Sequence, residues 1–258
     1  MFLIAEVGVN HQGKMKKAYE LTYEAKNAGA DAVKFQLFNS QVLWGDDRIK
    51  QFELRFFEME KLHSYCQQLG VEFMCSPFGV AELLLLAPLL KRVKVASGMA
   101  KRKPFLEAVA DTTLPVILST GMSTQADIHN ALRTLTHDGH GDGDITLLQC
   151  TSSYPCRMED VHLHAMRSLR EEFRLPVGLS DHTTSITVPI AAAALGASVI
   201  EKHITQDRGQ DGPDHKASIT PKEFRAMAMA LTEVEAAMGD SFKRVQPCEV
   251  ELRKVWEK

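Results

Sequence analysis

Short apolar runs rich in valine and isoleucine alternate along the chain with stretches in which apolar residues recur every three or four positions. The runs Phe2–Gly8, Ala32–Leu37, Val71–Cys75, Arg92–Ser97, Pro115–Thr120, Ile145–Cys150, Pro176–Ser180 and Ala197–His203 predict strands. Helices are predicted between them, over Lys14–Ala28 and Phe56–Leu69, then after Pro77 and after Pro104. Further helices are predicted from a cap at Ser123 to near His137, around Asp160–Phe173, over Ser185–Leu195 and over Thr220–Met238. Gly29, Gly70, Gly196 and Gly239 each follow a periodic segment, where a residue free of a Cβ can end a helix. Eight βα units are the number that closes an α/β (β/α)8 TIM barrel, and strands apolar on both faces suit a sheet lying under helices. A doubly wound open sheet is the alternative, but Gly8-Val9-Asn10-His11-Gln12-Gly13 lacks the glycine spacing expected after its first strand. The expected division is a barrel over 1–240 and a helical tail over 241–258.

Composition narrows the function classes. The 258 residues carry 30 basic and 33 acidic side chains, a net charge of −3, so no basic footprint for nucleic acid or anionic membrane is visible. The longest mostly apolar stretch, Val188–Ala197, contains Pro189 and Gly196 and is far short of a membrane span. Met1-Phe2-Leu3-Ile4-Ala5-Glu6 has no basic region and reaches an acid too early for a signal peptide. The five cysteines lack paired spacing and are read as reduced thiols in a cytoplasmic protein.

Chemistry enters where polar residues interrupt the strands. Glu6 closes the first; Lys34 and Gln36, two apart, share one face of the second. Ser76 follows the third, Lys94 and Ser97 lie in or after the fourth, and Ser119 and Thr120 end the fifth. Ser152 follows the sixth, Ser180 and His182 end the seventh, and Glu201 and His203 end the eighth. In a barrel these ends form one rim, where catalytic groups sit. His182 and His203, on adjacent strands, are the candidate ligands of a divalent ion with open positions, with Asp181 as an orienting neighbour. A lysine inside a core strand needs an anion or a reactive role, so Lys34 and Lys94 are candidate substrate groups. Lys202 alternates with Glu201 and His203 and is read as a structural ion pair toward the helices. The polar loop Asp207–His215 is read as a lid or substrate loop. Cys75, Cys150, Met227, Met229 and Met238 are read as packing, and His137 with His140 as a solvated turn.

Several of these segments resemble the sialic acid synthase (N-acetylneuraminate synthase) family in order along the chain. They include Ile4-Ala5-Glu6-Val7-Gly8-Val9-Asn10-His11-Gln12-Gly13, Gly29-Ala30-Asp31-Ala32-Val33-Lys34-Phe35-Gln36 and Lys94-Val95-Ala96-Ser97-Gly98. Ser119-Thr120-Gly121-Met122-Ser123, Cys150-Thr151-Ser152-Ser153-Tyr154-Pro155 and Gly178-Leu179-Ser180-Asp181-His182-Thr183 follow. Glu201-Lys202-His203 and Gly212-Pro213-Asp214-His215-Lys216-Ala217-Ser218 complete the set. The resemblance implies condensation of phosphoenolpyruvate with an N-acyl amino sugar, releasing phosphate and a nonulosonic acid. It implies that His182 and His203 bind manganese or magnesium, and that Lys34, Ser97, Ser119, Ser152 and Ser180 surround phosphoenolpyruvate. Gln36, Tyr154, Glu201 and Asp214 are then expected to face the sugar, Glu6 to orient the site, and Glu201 or a metal-bound water to move the proton. Leu114 stands where many members carry a lysine. Typical members continue into a small antifreeze-like domain, whereas this sequence stops after the charged stretch Glu249–Lys258. A homodimer and a separate capping polypeptide are therefore candidate partners, and a loosely held sugar is expected without the latter. Two alternatives are a Schiff-base aldolase using Lys34 and a catalytically silent sugar-binding barrel.

Overall fold

Eight parallel strands, each followed by helical chain, curl into a barrel. A computed structural model describes residues 1–45, 47, 49–136 and 144–257; Asp46, His137 and His140 lie outside the described residues. The strands are β1 (Phe2–Gly8), β2 (Ala32–Leu37), β3 (Glu72–Pro77), β4 (Val93–Val95), β5 (Val116–Ser119), β6 (Ile145–Cys150), β7 (Val177–Asp181) and β8 (Val199–His203). Each pairs with its sequence neighbour and β1 pairs with β8, so the sheet closes on itself except between β3 and β4, which lie adjacent without a ladder. The helices are α1 (Met15–Asn27), α2 (Ser40–Trp44), α3 (Phe56–Leu69), α4 (Val80–Leu86), α5 (Lys103–Asp111), α6 (Gln125–Thr136), α7 (Ala165–Phe173), α8 (Thr187–Ala194), α9 (Pro221–Met238) and α10 (Val250–Trp256). The (β/α)8 barrel expected from the alternating pattern is the fold.

Strand alternation sorts the core into two layers. Outward residues such as Ala5, Val7, Val33, Phe35, Val95 and Leu118 pack beneath the helices. Inward residues Ile4, Ala32, Met74, Ile117, Leu148 and Val199 form a separate apolar plug. Two residues further along each strand, the same inward face turns polar: Glu6, Lys34, Ser76, Ser119, Cys150 and Glu201. The plug thus floors a polar chamber at the C-terminal end of the barrel.

Local differences from the sequence reading have simple causes. The cap of α6 is Thr124, not Ser123: its hydroxyl accepts from the Asp127 N–H, and the Asp127 carboxylate accepts from the Thr124 N–H. The helix expected around Asp160 begins at Ala165, after a separate 3-10 turn over Met158–Asp160. The short α2 was not anticipated. Met227 is buried, but Met229 and Met238, also read as packing, are exposed on the outer face of α9. From Gly239 onward every described residue is exposed, α10 included. Among the described residues no helix is long and apolar enough to cross a membrane.

Candidate active site

Four charged side chains meet above the apolar plug. Lys34 Nζ lies 2.8 Å from Glu6 Oε2 and 3.5 Å from Glu201 Oε2, and donates to Ser76 Oγ at 3.0 Å. Lys94 Nζ lies 3.4 Å from Glu201 Oε1 and donates to Ser119 Oγ at 2.8 Å. Ser180 Oγ donates to Glu201 Oε1 at 2.9 Å, and Gln36 Nε2 to Glu6 Oε1 at 2.9 Å. All four charged residues are at least 95% buried. Lys94 points inward.

Their protonation states differ. Burial, helped by the like charge of Glu201 and opposed by Lys34, raises the Glu6 carboxyl to about 7. Burial also acts on Glu201, but Lys34 and Lys94 outweigh it and bring that carboxyl down to about 2. Burial alone would pull Lys34 down; Glu201 and Glu6 reverse this and hold its ammonium above the ordinary lysine range. Such a lysine is poorly suited to the neutral-amine attack that a Schiff-base aldolase requires. Burial pulls Lys94 below the ordinary lysine range, with Glu201 opposing it. Near neutral pH Glu201 is ionised, Glu6 is close to half-protonated and Lys34 is an ammonium, with the Lys94 nitrogen as a second donor in the same chamber, an arrangement suited to an anion.

The histidines stand beside this cluster. The His182 and His203 rings are 5.4 Å apart between centroids, and the half-exposed Tyr154 ring lies against both, at 4.1 Å from His182 and 5.7 Å from His203. His182 Nδ1 donates to the Thr151 carbonyl at 2.8 Å, which orients the ring and leaves Nε2 to carry the lone pair in the neutral form. Burial opposes its protonation, but Cys150 and the Thr151 carbonyl outweigh burial and raise it above the ordinary histidine value. Burial, with His182 and Lys34 nearby, keeps His203 well below the ordinary histidine value, and its buried Nδ1 has no hydrogen-bond partner. Asp214 Oδ2 lies 3.8 Å from that nitrogen, and burial raises its carboxyl to about 6. An oriented imidazole beside one held neutral is a donor set that fits a divalent ion with open positions. Among the described residues no group of three or more His, Cys, Asp or Glu is placed to hold a metal, so protein ligation would come from these two rings.

A third group completes the mouth. Ser97 Oγ donates to Cys150 Sγ at 3.4 Å, and Ser152 Oγ is buried without a partner. A Cβ on Gly121 would come within 2.3 Å of Ser152 Oγ, 2.8 Å of Ser97 Oγ and 3.2 Å of Cys150 Sγ, so glycine there keeps open the space these groups face. Gly8, at φ 55°, does the same opposite: its Cβ would lie 2.9 Å from Asp214 Oδ2, 3.2 Å from Gln36 Nε2 and 3.3 Å from Glu6 Oε1.

The structure therefore brings Glu6, Lys34, Gln36, Lys94, Ser97, Ser119, Ser152, Tyr154, Ser180, His182, Glu201, His203 and Asp214 into one chamber. It excludes two neighbours. Lys202 is turned to the helices, where it pairs with Asp181 at 2.5 Å; Asp181 in turn accepts from the Thr183 N–H, so it orients Thr183 and Lys202 rather than an imidazole. Cys150, read as packing, belongs to the site: its Sγ lies 4.0 Å from His182 Nδ1, a contact that only its inward parity on β6 foreshadows.

Residues 21–243 match the NeuB family. The chain is 41% identical over 254 residues to an uncharacterized protein of Methanocaldococcus jannaschii, covering 96% of this chain and 75% of that protein. It is 38% identical over 274 residues to the N,N'-diacetyllegionaminic acid synthase of Legionella pneumophila, covering 98% of this chain and 77% of the synthase. The crystal structure of the N-acetylneuraminic acid synthetase of Leptospira borgpetersenii, in complex with citrate, superposes with a TM-score of 0.93 at 33% identity, covering 99% of this chain and 91% of that one. Barrel, ordered motifs and these likenesses agree: the chain belongs to the NeuB family.

Proposed function

We propose that this chain catalyses the metal-dependent condensation of phosphoenolpyruvate with an N-acyl amino sugar, giving a nonulosonic acid and phosphate. The observation that carries the proposal is the pair of buried lysines, Lys34 and Lys94, placed with their hydroxyl partners Ser76 and Ser119 beside two imidazoles free to take an ion. Lys34, Lys94, Ser76 and Ser119 bind the anionic groups of phosphoenolpyruvate, and the pocket that Gly121 leaves open toward Ser97 and Ser152 takes part of the same charge. Tyr154, Gln36 and Asp214 line the sugar side. His182 and His203 hold the ion, which when bound polarises the sugar aldehyde.

In the reaction C3 of phosphoenolpyruvate bonds to the aldehyde carbon, water adds at C2, and the bond from C2 to the phosphate oxygen breaks. The oxygen of the former aldehyde then needs a proton. Glu201 is a poor source because Lys34 and Lys94 hold it ionised; Glu6, near 7 and so about half-protonated at neutral pH, is assigned that role. Phosphate release from phosphoenolpyruvate, followed across a panel of N-acyl hexosamines with and without manganese, tests the proposal. Sugar-dependent and manganese-dependent release is expected; no release with any sugar rejects it.

A further inference from the structure

Asp214 lies farther beyond the end of its strand than any other site residue. It sits on the long segment between β8 and α9, yet its carboxylate meets His203 from β8 and the open face of Gly8 from β1. Something must hold that segment, because a charged side chain misplaced by about 1 Å can cost on the order of 10²-fold in rate.

The holding contacts come from the turn after β1. Asn10 is 1% exposed, and its Nδ2 donates both to the Ile204 carbonyl at 2.9 Å and to Ser218 Oγ at 2.8 Å. Ser218 Oγ passes the bond on, donating to the Asp214 carbonyl at 2.7 Å. A single amide thus ties the first residue after β8 to the turn that carries Asp214. Further out, Gln12 Nε2 donates to the Asp211 carbonyl at 2.9 Å, and Lys17 Nζ donates to both Gln12 Oε1 and Gln210 Oε1. Asn10 itself has no room to drift. His11, fully buried beside it, accepts the Gly13 N–H on Nδ1, and a Cβ on Gly13 would strike the Gln51 carbonyl at 2.2 Å.

We infer that Asn10 is a positioning residue that sets the Asp214 carboxylate against His203 through Ser218, with Gln12 and Lys17 bracing the outer part of the loop. The inference rests on the sugar-side role proposed for Asp214, but the tether itself is a property of the fold. Two readouts on the full chain test it. In hydrogen exchange, Asn10→Ala and the milder Ser218→Ala should each speed exchange at the Ala217 and Ser218 amides, which donate to the Asp214 and His215 carbonyls, while the sheet-bonded Ile204 amide stays protected. In phosphate-release kinetics, Asn10→Ala should raise the sugar KM or lower kcat by about tenfold or more, leaving the phosphoenolpyruvate KM unchanged. Placed on an Asp214→Ala background, it should then cost little more, because both changes remove the same interaction. Unchanged exchange at the Asp214 turn, or losses that multiply independently of Asp214, would overturn the inference. If the unsubstituted chain releases no phosphate, the proposed function falls, and hydrogen exchange still decides the tether.

Discussion

Two buried lysine–carboxylate groups lie on opposite faces of neighbouring strands in this barrel, and they differ in how completely they are satisfied. On the helix-facing side, Lys202 has Asp181 at 2.5 Å together with the carbonyl and hydroxyl of Thr183, and Asp181 accepts from both the amide and the hydroxyl of Thr183. On the lumen side, one residue away in sequence, Glu201 Oε2 has only an ion pair at 3.5 Å and no hydrogen bond, while Ser152 Oγ and His203 Nδ1 have no hydrogen-bond partner. Burial is nearly complete in both places. A buried charge with every partner in place is a structural tie; a cluster left short of partners is a site that awaits them.

The comparison can be broken by removing one cation from each side. Lys202→Met strands the Asp181 carboxylate in the helical layer and should cost about 3–5 kcal/mol of stability, measured by urea unfolding. Lys34→Met should cost less than half as much in the same experiment, because Glu6 already tends toward its neutral form and Lys94 still compensates Glu201. Equal losses would mean that the lumen cluster is a structural tie like the other.

A smaller effect separates the imidazoles from the packing around them. His182→Ala and His203→Ala should each weaken manganese binding by more than about tenfold, since even groups that merely orient metal ligands cost that much. Calorimetric titration checks this, and circular dichroism should find the barrel intact in both variants.

A more gradual effect, spread over the pH scale, is in the pH dependence of stability. Glu6 has its folded-state value raised to about 7 from 4.5, so between those values the unfolded chain has lost a proton that the folded chain keeps. Its contribution therefore falls as pH rises through that window, by at most about 1.4 kcal/mol per pH unit. Glu6→Gln should flatten that fall in urea unfolding at stepped pH.

Much of this contrast was legible in the sequence because strand parity carries it. Lys34 and Gln36 share a face, Glu201 and His203 share a face, and Lys202 must oppose them; all three readings follow from period-two alternation, and the ladder registers agree. What parity does not carry is distance between loops. Cys150 against His182, and Asn10 reaching Ile204 and Ser218 across 194 and 208 residues of sequence, depend on how the ring closes. The cap of α6 was misplaced for a local reason: Ser123 and Thr124 are both plausible caps, and only the spacing to Asp127 selects Thr124. The methionines of α9 split because a pattern of large apolar residues does not say which flank of a long helix meets the neighbouring elements.

The central claim is that the unsatisfied lumen cluster is built to receive an anionic substrate, and calorimetric titration of phosphoenolpyruvate into the chain and its Lys34→Met variant tests it most directly. One phosphoenolpyruvate should bind per chain, and the variant should lose about 30-fold or more in affinity, as expected when a buried charge loses its counter-ion. Equal phosphoenolpyruvate affinity in both proteins would contradict the account.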